Sequence, residues 1–148
     1  MANTTINKDP SFVNAPKAGV TAADGQKSGV TFVNADSTTA KTLFITGPNG
    51  AIIETITATT DDTSNNIVRL TLGDTVTDFH LGDVVVTTLA GTDAGVTPSK
   101  NLLDTTAIPS LRSDGSLLLP PDCVVKVAPE SAVTAAKTLT IFPHAWDL

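Results

Sequence analysis

Gly47-Pro48-Asn49-Gly50 sits between two β-rich runs, "KTLFIT" and "AIIETITATT", where a glycine-rich turn is one way to cradle a phosphate. A phosphate-binding loop needs two glycines separated by four residues, then Lys and Ser or Thr at the start of a helix. Here the residues after Gly50 read as a strand, and no lysine follows the second glycine. Both the cation and the helix N-terminus that hold phosphate are missing. Asn49-Gly50 is instead a turn pair, since both residue types tolerate positive φ. The stretch predicts a hairpin or a tight corner.

The remaining polar groups offer little chemistry. Asp61-Asp62-Thr63-Ser64-Asn65-Asn66 is rich in oxygen, which calcium prefers, but the alternating acids, central glycine and distant glutamate of a calcium loop are not in register. It reads as a strand-to-strand loop whose side chains bond their own backbone. Two histidines, His80 and His144, are too few for a three-histidine zinc site. His80, in "DFHL", is expected to face solvent or a satisfied neighbour. Cys123 is the one candidate nucleophile, and a histidine would have to activate it. It opens an alternating strand with Val125 and Val127 on its own face, so a small buried hydrophobe is the expected role. Glu54 interrupts the Ile52–Ile56 face of its strand and reads as an edge or interface feature. No G-x-S-x-G elbow occurs. Asn3-Thr4-Thr5 matches a glycosylation sequon but follows no secretion signal. No catalytic, metal or cofactor site is therefore expected.

The elements that would carry these residues are strands. The 148 residues suffice for one domain with its own core. Charged residues make up 16%, where about 25% is usual. Threonine fills much of the gap and, like valine, suits a pleated, half-buried surface. Short runs alternate with turn signals: 30–34, 42–46, 51–59, 67–72, 76–81, 83–89, 116–119, 123–128 and 137–142, with Gly82 dividing two of them and 101–111 irregular but apolar. Val68, Leu70, Val125, Val127, Leu139 and Ile141 alternate with polar neighbours and are assigned to inward faces. Cys123 joins the inward set, while Val124 and Lys126 are assigned outward. The expected fold is all-β: a single β-sandwich or jelly roll of about eight strands over residues 29–148. Residues 1–28 carry prolines, glycines and few apolar side chains, and read as an extended N-terminal arm.

The net charge of −6 and the scattered basic residues argue against nucleic acid as a partner. No apolar run of about 18 residues is present, so no membrane span is expected. The lone cysteine allows no internal disulfide. An acidic β-domain with an arm suits a structural or binding module.

Three segments carry a resemblance. "FVNADSTTAKTLFITGPNGAIIETITATTDDTS" (32–64), "NLLDTTAIPSL" (101–111) and "LLLPPDCVVKVAPESAVTAAKTLTI" (117–141) resemble small virion proteins of tailed bacteriophages, similar to capsid decoration or cement proteins. The shared features are packing and turn patterns over roughly residues 30–142, with no catalytic motif. The resemblance implies a non-enzymatic β-sandwich on the outside of the phage head, made in the host cytoplasm, that bridges and stabilises subunits of the major capsid protein. It also implies self-association, with a homotrimer favoured over a dimer because capsids present three-fold sites. Ile6, Phe12, Val13 and Val20, the apolar residues of the arm, are the candidate capsid contacts. The alternatives are a tail, fibre or head–tail connector component, or a carbohydrate-binding module for the host surface. The last is disfavoured because the chain has no tyrosine and one tryptophan, Trp146, for sugar stacking.

Overall fold

The computed structural model describes residues 29–74, 76–92 and 97–148. Ile6, Phe12, Val13 and Val20, with the whole predicted arm, lie outside the described residues. The described chain forms nine strands: β1 (Val30–Val33), β2 (Lys41–Ile45), β3 (Ala51–Thr60), β4 (Asn66–Gly73), β5 (Asp78–Val86), β6 (Lys100–Asn101), β7 (Leu117–Leu119), β8 (Val124–Pro129) and β9 (Thr138–Asp147). One 3-10 turn, Asn34–Asp36, is the only helical element among the described residues.

The strands make two antiparallel sheets. The first runs β1-β9-β3-β6, with β7 also pairing with β3; the second runs β2-β8-β4-β5. Their facing sides share one apolar core, so the all-β reading holds and the fold is a β-sandwich. The count stays at nine because the two runs on either side of Gly82 merge into β5 while Lys100–Asn101 adds a short strand paired with β3. Of the residues assigned inward by alternation, Val68, Leu70, Val125, Val127, Leu139 and Ile141 are fully buried and Cys123 nearly so. Each such side chain contributes about 1.5–3 kcal/mol by leaving water. The irregular apolar stretch supplies Leu102, Leu103 and Ile108 to the same core.

The corner is one between sheets rather than a hairpin. β2 and β3 belong to different sheets, and the Gly50 amide donates to the Gly47 carbonyl at 3.1 Å to close the turn. Pro48 second and Gly50 fourth is the residue order of a type I turn. Gly50 alone uses positive φ, at 84°, and Asn49 does not. Thr46 stitches this corner to the proline loop. Its hydroxyl donates to the Pro120 carbonyl at 2.8 Å and accepts from the Cys123 amide at 2.8 Å.

Four further expectations are corrected. Strict alternation puts Ile52, Glu54 and Ile56 on one face, but a register shift between Ile53 and Thr55 turns Ile53 and Ile56 inward together. Ile52 and Glu54 thus point away from the core. The run 76–81 and the run 83–89 share one strand, Asp78–Val86, that passes through Gly82, where a Cβ would come to 2.5 Å from the Ala107 carbonyl oxygen and only glycine fits. β9 does not end at Phe142 but continues through Pro143 to Asp147, paired with β3 throughout. Val124, assigned outward, is buried, lying in the central strand β8 between Ile45 and Gly73.

Candidate functional site

Cys123 is buried at the end of the proline loop, and burial pushes its thiol above the ordinary range. A thiol held protonated is a poor nucleophile. Its amide bonds to Thr46, and the side chain packs in the core as a small hydrophobe. His80 and His144 lie on different sheets, at β5 and β9, and are not brought together. His80 is half-exposed and its Nε2 lies 2.9 Å from Asp83 Oδ1, which combines both environments expected for it. His144 Nδ1 lies 3.3 Å from Glu54 Oε2 across the β3–β9 pair. Among the described residues, no three His, Cys, Asp or Glu side chains cluster in a way that could hold a metal ion. No helix among them is long and apolar enough to cross a membrane.

The oxygen-rich loop is used internally. Asp62 is 1% exposed. It accepts from the Ser64 amide at 3.0 Å, the Thr134 amide at 2.9 Å and the Thr134 hydroxyl at 2.7 Å. Burial pushes its carboxyl up, but the bonds from Thr134 and Ser64 outweigh that and hold it below the ordinary range. The own-backbone bonding read from the sequence is present, but the larger share of the bonds staples a distant loop.

Exposed apolar side chains gather elsewhere, at the β4–β5 hairpin. Val76 is 88% exposed and Phe79 65%. Phe79 pairs with Leu72, and Leu72 pairs with Val125. Along this row Val125 is fully buried, Leu72 packs partly buried against the core, and Phe79 emerges. Phe79 is the outer end of a core row that the opposite sheet does not cover. A shift between Leu70 and Thr71 leaves Leu81 unpaired with β4, which sets this register.

The hairpin end is held by its own backbone. Asp74 Oδ1 accepts from the Val76 amide and the Thr77 amide, both at 2.7 Å. The Thr77 and Val76 amides keep its carboxyl below the ordinary range. Lys126 Nζ reaches both oxygens of Asp78, at 2.9 and 2.8 Å, and pins the neck. An apolar contact presented on a fixed turn loses less entropy on binding than one on a loose loop.

Beside it, the outer side of the β2-β8-β4-β5 sheet carries charge. Arg69 bonds Asp83 at 3.2 Å and Glu130 at 2.7 Å. Burial raises the Asp83 carboxyl, and its bonds to His80 and Arg69 bring it below the ordinary range. Arg69 and Glu130 line an open groove of about 410 Å³ with Thr38, Ala128 and Pro129. The Arg69 cation is already matched by two acids, so the groove offers no unspent positive charge. Ile67 and Val85, a directly opposed pair, border the charged cluster with exposed side chains. A face that mixes exposed apolar and paired charged groups suits a protein surface better than a small ligand.

No protein-family model matches the chain, and no curated protein matches it. Sequence reading missed the hairpin site. Its only local signal was Gly73-Asp74, an aspartate placed to bond amides two and three residues on.

Proposed function

We propose that this protein decorates the head of a tailed bacteriophage, binding the outside of the capsid and bridging neighbouring subunits of the major capsid protein. The observation that carries the reading is the β4–β5 hairpin, where Val76 and Phe79 are held out from a rigid β-sandwich. Large exposed apolar side chains on a fixed scaffold mark protein-contact sites. The resemblance of residues 32–64 and 117–141 to small phage virion proteins supplies the identity of the partner. On a shell of repeated sites, weak contacts at each copy add through multivalency, above all if the copies form a trimer.

The test is stoichiometry in purified virions together with binding of purified protein to undecorated heads. Copies in proportion to the main shell protein support decoration. A few copies per particle move the protein to a tail or connector. Absence from the virion removes the proposal. Phe79→Ser and Val76→Ser variants that bind heads like the parent would remove the hairpin from the contact.

A further inference from the structure

A second apolar surface lies on the other sheet. Leu118, Ile52 and Trp146 are directly opposed across β7, β3 and β9. Their neighbours Leu117, Leu119, Ile53 and Ala145 are buried in the core, so this row occupies the outward side. Leu118 is 53% exposed. The Trp146 Nε1 atom is shielded from solvent yet has no hydrogen-bond partner. A buried donor in that state is unfavourable until an acceptor meets it.

The row adjoins an open strand edge. β3 pairs with β9 from Leu139 to Asp147, whereas β1 pairs with the other side of β9 only from Thr138 to Ile141. The Thr138 carbonyl and the Leu148 amide both bond towards the β3 side. By alternation, Pro143, Ala145 and Asp147 turn their backbone groups to the open side. Pro143, which has no N–H, thus stands where its missing donor breaks no bond with β3.

We propose that the residues preceding Gly29 turn back along this open side of β9 and cover Trp146, Ile52 and Leu118 of their own chain. Four observations select this occupant. The first is direction. β1 is antiparallel to β9 with Val30 opposite Ile141, so stepping back from Val30 leads towards Trp146. Gly29 already lies there: a Cβ on it would be 2.9 Å from the Ile141 carbonyl oxygen and 3.1 Å from Phe142 Cβ. The second is reach. Ile141 to Trp146 spans about 17 Å of strand at roughly 3.3 Å per residue, and 28 residues precede Gly29. The third is charge. Residues 1–28 hold three lysines against two aspartates, while residues 29–148 hold six basic against thirteen acidic side chains. The fourth is composition, since Ile6, Phe12, Val13 and Val20 supply apolar groups for the row. Pro143 interrupts any continuous ladder, so the hold comes mainly from side chains on the row, with a backbone carbonyl meeting Trp146 Nε1.

This surface does not depend on the capsid reading, and its test needs no phage heads. Trp146 is the sole tryptophan. Its emission and its quenching by acrylamide are compared in the full chain and in a chain starting at Gly29. Truncation is expected to shift the emission to the red and to raise quenching. A full-length Phe12→Ser/Val13→Ser/Val20→Ser variant provides the same reading if the truncated chain fails to fold. Unchanged emission and quenching in whichever chains fold would overturn the proposal. Shielding that disappears on dilution would also overturn it, because the occupant would then be a second copy.

Discussion

Asp62 and Asp74 both sit in short polar loops between strands, and both accept hydrogen bonds from backbone amides. Asp62 is buried, and two of its donors come from Thr134, 72 residues away. Asp74 serves only its own turn, through Val76 and Thr77. The same chemistry therefore does different work. The first aspartate closes a seam between distant parts of the fold; the second shapes an exposed turn that presents Val76. Burial makes the difference, because an unmet donor in the interior costs far more than one that water can reach.

The sharpest challenge to this contrast lies along the row Val125–Leu72–Phe79, which is core at one end and surface at the other. Val125→Asp buries an unpaired charge and is expected to cost several kcal/mol, enough to unfold a marginal domain. Thermal melting checks it, and a parental melting temperature would show that the row does not enter the core. Asp62→Ala is expected to cost about 1–3 kcal/mol, since the Thr134 amide and hydroxyl lose their acceptor. Denaturant titration measures that loss.

Acid should open the seam as well. The Asp62 carboxyl lies below its ordinary value of 3.8 in the folded chain. A depressed folded value means the unfolded chain binds the proton more readily. The contribution is complete above that ordinary value and is lost as pH falls below it. Asp104, held far below the ordinary range by Thr106 and Lys100, acts in the same direction. Melting temperature should therefore fall below about pH 4, and Asp62→Ala should flatten part of that fall.

Smaller effects on stability are expected at the hairpin. Phe79→Ser should change stability by no more than about 0.5 kcal/mol, while greatly weakening binding to undecorated heads. Asp74→Ala should melt like the parent and reduce head binding less than Phe79→Ser, because the turn loosens but Val76 and Phe79 remain. If Asp74→Ala destabilised the protein as much as Asp62→Ala, the distinction between seam and turn would collapse.

Much of the framework was legible in the sequence. Period-two alternation placed Val68, Leu70, Val125, Val127, Leu139 and Ile141 on buried faces. Gly47-Pro48-Asn49-Gly50 announced a turn, and the Asp62 loop announced local bonds. The hairpin site was hardly legible. Phe79 sits in "TDFHL", where nothing local separates a buried aromatic from an exposed one. Its exposure follows from where the opposite sheet stops, which depends on strands distant in sequence.

Composition and alternation by themselves determined an all-β chain, its strand-and-turn rhythm and most of its core, because backbone pleating is a local property with a period of two residues. Only the tertiary structure decided where that period slips. The shift at Ile53 and Thr55 sends Glu54 outward beside His144, and the one at Leu70 and Thr71 brings Phe79 level with Leu72. One extra residue in a strand reverses every face beyond it, and its position is settled by pairing with a distant partner. For the same reason β9 runs through Pro143: a proline ends a strand only where its missing N–H would have been needed, and the sheet order decides which side of β9 that is.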